Sequence, residues 1–295
     1  MDLDQLASLR HLYPFENRYF EHAGGYRQHY LDEGQGPPVL MVHGNPTWSF
    51  FFRKLVLALR ERRRCIVPDH VGCGLSDRPG DEAYAYTLEQ RARDLDALVE
   101  QLSPGDKIAL VVHDWGGMIG MAWALRHLER IERIVLFNTA AFPKPASKTF
   151  PWQLTLCRSP LVGPLLVRGL NGFVRYAQDH CSVKKLPADV AAGYGLPYAS
   201  WANRRAVLRF VQDIPLGPGD TSWALVNEVA DSLPKFAAIP KLICWGEQDF
   251  VFDQHFLAEW KRRCPEAEVH TFPEAGHYVL EDAGDQIVPL VERFL

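Results

Sequence analysis

Long apolar runs are missing: nowhere in the 295 residues does a stretch approach the roughly 20 uninterrupted apolar side chains that cross a bilayer. Paired cysteines are missing too. The six that occur (Cys65, Cys73, Cys157, Cys181, Cys244 and Cys264) show neither the C-x2-C spacing of a zinc site nor the density of a disulfide scaffold. Cys65 and Cys244 sit inside apolar runs, where a thiol behaves as a small hydrophobe. Charge of one sign is also scarce. With 32 basic and 36 acidic residues, net charge −4, there is no basic surface for a nucleic acid. The one dense cluster, Arg60-Glu-Arg-Arg-Arg64, directly precedes an apolar run and reads as the solvated end of a helix. The start, Met1-Asp-Leu-Asp-Gln5, lacks a basic n-region and an apolar h-region, so no secretory leader is expected. With unpaired thiols, this predicts a reduced, cytoplasmic protein. Repeats and low-complexity tracts are absent. What is present is 47% apolar residues, ample for a buried core, in a length that suits one core with a sizeable insertion.

Short apolar runs alternate with longer helical patterns, which predicts an α/β fold with a mostly parallel, doubly wound sheet. The expected strands are 39–43, 65–68, 108–113, 134–137, 241–245 and 268–272, each rich in Val, Ile or Leu and bounded by turn residues. Before them, 18–21 and 27–31 flank Gly24-Gly25 and read as an edge hairpin. Residues 88–102 and 117–126 carry helical periodicity. From Pro143 to about Leu233 the strand rhythm stops and helical pieces, prolines, Trp152, Trp201 and Trp223 take over. An insertion there predicts a helical cap, 143–233, over a core of 1–142 and 234–295. Within it, 161–170 is apolar and is expected to pack inside the cap, with a partner or membrane surface as the alternative.

The chemistry-bearing residues fall at strand ends. Ile108-Ala-Leu-Val-Val-His-Asp114-Trp-Gly-Gly117 runs from a buried strand through glycines into a helix, the context of a nucleophile elbow with aspartate at its tip. A helix start also favours a carboxylate electrostatically, so a plain N-cap is the competing reading of Asp114. His277, in Pro273-Glu-Ala-Gly-His277-Tyr, follows the last strand; alone it would be a turn histidine, but the order nucleophile–acid–histidine is kept. Asp249 lies just past the penultimate strand, where it can hold the imidazole in one tautomer; Asp253 is the weaker competitor and Glu247 sits nearer the strand. His43-Gly44-Asn45-Pro46, after the first parallel strand, is either a turn or the source of one oxyanion-binding backbone N–H, the second coming from Trp115.

With these motifs the chain resembles the haloalkane dehalogenase family of the α/β-hydrolase superfamily over nearly its whole length. The likeness rests on His43-Gly-Asn-Pro-Thr47, Pro68-Asp-His-Val-Gly-Cys-Gly-Leu-Ser-Asp-Arg-Pro79, His113-Asp-Trp-Gly-Gly117 and Gly276-His-Tyr278. The resemblance implies that Asp114 is the nucleophile, that the side-chain N–H groups of Asn45 and Trp115 hold a departing halide, and that His277 is the general base. Where some members carry a glutamate as the acid, this chain has Asn138, which leaves Asp249 as the acid. The pattern is that of the third subfamily, close to the β-lactone decarboxylases of bacterial long-chain olefin biosynthesis, which share the same five residues. The implied reaction is carbon–halogen cleavage through a covalent alkyl ester on Asp114, giving alcohol, halide and a proton without metal or cofactor. β-Lactone decarboxylation is the alternative. Epoxide hydrolysis is a lesser one, needing cap tyrosines such as Tyr176, Tyr194 or Tyr198, and a non-catalytic scaffold is the reading from another class. The expected partner is a small hydrophobic substrate, a halogenated alkane or a β-lactone.

Overall fold

The structure, a computed structural model, describes residues 3–295; the first two residues, part of the start read above for a leader, lie outside them. Eight strands form one sheet: β1 (Arg18–Glu21), β2 (Arg27–Glu33), β3 (Pro38–Val42), β4 (Arg64–Pro68), β5 (Ile108–Asp114), β6 (Ile131–Thr139), β7 (Lys241–Gly246) and β8 (Glu268–Phe272). Their order is β1-β2-β4-β3-β5-β6-β7-β8, with β1, β2 and β4 antiparallel neighbours and the rest parallel. The expected strands and edge hairpin are all present. The expected 134–137 proves to be longer at both ends, Ile131–Thr139: the charged Glu132 and Arg133 and the polar Asn138 and Thr139 hid these positions from an apolar reading.

Strict alternation decides which side each residue serves. In β5, Ile108, Leu110 and Val112 join one core cluster, with helices Leu88–Leu102, Trp115–Arg126 and Gln254–Arg263. Ala109 and Val111 join the other, with helices Arg53–Leu59 and Gly284–Phe294. Every residue of β5 is buried, as a central strand covered on both faces must be. The helix Leu88–Leu102 starts where the Thr87 side chain accepts the Gln90 backbone N–H.

Between β6 and β7 there is no strand but a set of helices: Trp152–Arg158, Gly172–His180, Ala188–Gly195, Arg205–Gln212 and Trp223–Ser232, with a π turn at Pro164–Gly169. The last of these contributes Val226, Val229 and Ala230 to the core cluster that holds Trp115–Arg126. The expectation that 161–170 packs inward holds only in part: Val167 is fully buried and Leu166 partly so, whereas Leu161, Val162, Leu165 and Leu170 are exposed, because a single turn of helix can bury only one of its faces. Arg60, Arg62, Arg63 and Arg64 follow the end of helix Arg53–Leu59 and pair with Glu33, Glu292, Glu132 and Asp32. Among the described residues no helix is long and apolar enough to cross a membrane.

The parallel register brings the C-terminal ends of β3, β5, β6 and β7 side by side: Val42 is opposite Val112, His113 opposite Phe137, and Phe137 opposite Cys244. Close approach of the helix after β5 to the end of β3 depends on Gly116, where any side chain would collide with the Val42 carbonyl. Gly116→Ala is therefore expected to lower unfolding stability by about 1–3 kcal/mol, read as the midpoint of denaturant unfolding; an unchanged midpoint would mean the helix has slack that the structure does not show.

Candidate active site

The strand β5 ends in Asp114 with φ 53, and a helix begins at the very next residue. That left-handed backbone is uncommon for a residue with a side chain and costs free energy unless neighbours fix it. They do: the Thr139 hydroxyl donates to the Asp114 backbone carbonyl at 2.5 Å. The turn throws the carboxylate clear of the sheet, over Gly44, where a side chain would occupy the same space. One oxygen, Oδ1, accepts the Asn45 backbone N–H at 2.5 Å, and the Trp115 backbone N–H adds its electrostatic pull on the same carboxylate. The other oxygen, Oδ2, lies 3.7 Å from His277 Nε2. One oxygen is tied down and one is left free.

His277 is buried, and its Nδ1 meets Asp249 Oδ2 at 2.7 Å. A carboxylate there accepts the Nδ1 proton, which leaves the Nε2 lone pair facing Asp114. Asp249 is itself held on every side. Its Oδ1 accepts the backbone N–H groups of Val251 and Phe252, and its Oδ2 accepts Asn138 Nδ2 at 3.0 Å. Asp253 does other work, capping helix Gln254–Arg263 and pairing with Lys148 at 2.7 Å, and Glu247 is exposed.

Two residues that the sequence did not single out in these roles complete the arrangement. Asn138, read only as a place without charge, brackets β7: its Oδ1 accepts the Gly246 N–H and its amide donates to both Gly246 and Asp249. His113 gives its Nε2 proton to the His277 carbonyl at 2.9 Å and stacks on Phe51 at 4.0 Å. In the sequence His113 stands only as the first residue of the His113-Asp-Trp-Gly-Gly117 motif, a polar side chain closing an apolar strand with no role of its own.

Burial pushes the Asp114 carboxyl up to about 6, against the pull of His277 and of the two backbone N–H groups. For His277, burial disfavours the cation, but the charge and hydrogen bond of Asp249, with Asp114 adding, carry its pKa above the ordinary value. Burial, reinforced by the neighbouring His277, holds His113 well below its usual range, so that ring is neutral.

Asp114 and His277 line a cavity of about 370 Å³ whose walls include Phe150, Leu154, Leu166, Phe173, Ile214 and Phe250. Asn45 and Trp115 also face it. Asn45 Nδ2 spends one proton on the Val207 carbonyl at 3.2 Å, which leaves its second N–H free, and the Trp115 indole N–H has no acceptor among the described residues. Among the aromatics between β6 and β7, Trp152 and Phe173 line the cavity and Trp201 and Trp223 do not. Of the three tyrosines that an epoxide hydrolase would need, only Tyr176 lines it; the hydroxyls of Tyr194 and Tyr198 donate to Glu281 and to the Thr47 carbonyl. The one group with metal-ligand spacing among the described residues, Asp96, Glu100 and His127, lies away from this cavity, with Glu100 paired to Arg130 and His127 to Asp96.

Residues 37–284 match the family model described as the alpha/beta hydrolase fold. The chain belongs to that family. This α/β hydrolase is 53% identical over 286 residues to a cis-3-alkyl-4-alkyloxetan-2-one decarboxylase of Shewanella oneidensis, covering 96% of this chain and 89% of the relative. It is 34% identical to haloalkane dehalogenase 2 of Mycobacterium bovis, with 96% of each chain covered, so the resemblance read from the motifs holds. The solved haloalkane dehalogenase of Bradyrhizobium elkani shares the fold at a TM-score of 0.85 and 24% identity, covering 95% of this chain and 97% of that one.

An acid whose folded-state pKa lies above its unfolded value weakens the fold once ionised. Asp114→Asn should therefore stabilise the α/β hydrolase, fully above about pH 6 and progressively less as the pH falls toward the ordinary carboxyl range. The expected gain is about 2–3 kcal/mol near neutral pH, measured by denaturant unfolding across the range. A gain that does not vary with pH would contradict a buried charge at this position.

Proposed function

We propose that this α/β hydrolase decarboxylates a cis-3,4-dialkyl β-lactone to an olefin, using Asp114 as a covalent nucleophile. The observation that carries the covalent step is the asymmetry of the Asp114 carboxylate, Oδ1 held by the Asn45 backbone N–H and Oδ2 beside His277 at the cavity. The choice of a lactone is favoured by the greater likeness to the decarboxylase, 53% against 34% for the dehalogenase.

In this reading Oδ2 attacks the ring carbon bonded to the lactone oxygen and inverts it, breaking the carbon–oxygen bond. The ring oxygen leaves as a carboxylate still attached through the neighbouring carbon. The free N–H groups of Asn45 and Trp115 receive that anion as it develops, in a dry site where such bonds are strong. The bond to the carboxylate carbon then breaks, its electron pair forms the alkene, and the ester oxygen returns to Asp114 as its carboxylate. CO2 leaves. Inversion followed by departure from opposite faces converts a cis ring into a cis olefin, and no water or proton is consumed. His277, fixed by Asp249 and raised toward its charged form, offsets the anionic charge of the intermediate. Residues 143–233 serve as the cap, supplying the apolar walls Phe150, Leu154, Leu166 and Phe173 that accept alkyl chains.

The same parts support a second reading, hydrolysis of a haloalkane. The two free N–H donors suit a halide equally well, and the 3.7 Å between His277 Nε2 and Asp114 Oδ2 lets the imidazole deprotonate a water that attacks the ester. The two readings differ in whether water enters. In 18O-labelled water, a cis-3-alkyl-4-alkyloxetan-2-one should yield CO2 and olefin with Asp114 unlabelled after many turnovers, whereas 1,2-dibromoethane should place 18O in the Asp114 side chain. A hydroxy acid as the product from the lactone would sink the decarboxylase reading.

Asp249→Asn should lower turnover by about 10⁴-fold, as expected when the imidazole loses its anionic partner, with little change in fold. On the haloalkane route His277→Phe should trap the alkyl ester, visible as an added mass on the intact protein. If no adduct forms with a reactive bromoalkane, the covalent scheme is lost for halides.

A further inference from the structure

Apolar exposure on this molecule is concentrated in one region. Of the eleven large hydrophobic side chains exposed among the described residues, nine lie between Trp152 and Trp201. Trp152, Leu156, Leu161, Leu165, Leu170 and Trp201 come from helix Trp152–Arg158, the π turn and the residues that follow, and these pieces pack on one another. Leu165 and Trp201 both approach Gly169, and the Arg168 guanidinium lies over the Trp201 ring at 4.5 Å while its Nε donates to the Trp201 carbonyl. Single exposed hydrophobes need no explanation; a contiguous set that includes two tryptophans does.

The charge of the same region is mostly positive. From 143 to 201 there are seven lysines or arginines against two acids, Asp179 and Asp189, in a chain whose net charge is −4. Arg168 and Arg175 make no ion pair among the described residues, and Arg175 is close enough to Arg204, whose side chain binds the Arg168 carbonyl, to repel it. An apolar face rimmed by unpaired cations is matched by a surface that is apolar inside and anionic at its rim, as a bilayer of acidic phospholipids is. A second copy of this chain fits less well, since a two-fold contact through this face would bring the same arginines together.

The cavity opens onto this face. Trp152, Leu156 and Tyr176 are both exposed and part of the cavity lining. We propose that the face carrying Trp152, Leu161, Leu165, Leu170 and Trp201 docks on an anionic phospholipid bilayer, so that the cavity draws its substrate from the lipid phase. The docking does not depend on whether the substrate is a lactone or a haloalkane.

Flotation with vesicles tests it. The wild-type protein should float with vesicles rich in phosphatidylglycerol, much less with pure phosphatidylcholine, and should be released at about 1 M salt, where screening shortens to roughly 3 Å. Leu161→Asp combined with Leu165→Asp should reduce flotation at least tenfold, while Leu57→Asp, an exposed leucine outside this region, should not. An unchanged circular dichroism spectrum and melting temperature show that the double variant is folded. Absence of wild-type binding to phosphatidylglycerol, or equal binding by the double variant, overturns the proposal. So does a wild-type dimer, seen by analytical ultracentrifugation, that the double variant converts to monomer, because the face would then be covered by a second copy.

Discussion

The hydrogen bond from the Asn45 backbone N–H to Asp114 Oδ1 joins the ends of two adjacent strands through the reactive group itself. Its length depends on the register of β3 with β5 and on two positions without side chains, Gly44 beneath the carboxylate and Gly116 against Val42. Asp114 is held in a left-handed backbone and inside a dry pocket, both of which oppose folding. The sheet and helix packing on either side must supply more free energy than this arrangement costs, and β5, buried along its whole length, is where they do so.

Much of this was legible in the chain. Strands covered on both faces announce themselves as apolar runs, and the C-terminal ends of such strands are where side chains can converge. Asp114, Asp249 and His277 each stand just past such a run, and the structure brings them together in one line from Asp249 through the imidazole to the Asp114 carboxylate. The supporting residues were harder to read because their partners are remote. His113 is 164 positions from the carbonyl it holds, and Asn138 is 111 from Asp249; no local pattern encodes either contact. The insertion between β6 and β7 shows the same limit. Its helices were foreseeable from the missing strands, but which face of each helix turns inward is decided by packing, so Tyr194 and Tyr198 proved to be tethered to Glu281 and Thr47, and Leu161, Leu165 and Leu170 to face out.

The two proposed reactions fit one site because their first step is common to both. A carboxylate displaces an anion from a saturated carbon, and the anion is received by N–H groups of Asn45 and Trp115. The outcome is then set by what lies on the adjacent carbon and by whether water reaches the ester. The cavity walls are mostly apolar, with Lys144, Lys148 and Gln153 the charged or amide side chains among them, so water is disfavoured beside Asp114 unless it is held by His277. A substrate that carries its own second leaving group has no need of that water.

Asn138 and Asp249 have a longer-range significance. The amide of one touches the carboxylate of the other, and both reach the same end of β7. The negative charge beside the imidazole therefore has two neighbouring seats, one in β6 and one just after β7, only one of which is filled. Evolution can move such a charge from one seat to the other without moving the nucleophile or the base, so lineages that share this fold can diverge in where they keep their acid while preserving the same chemistry.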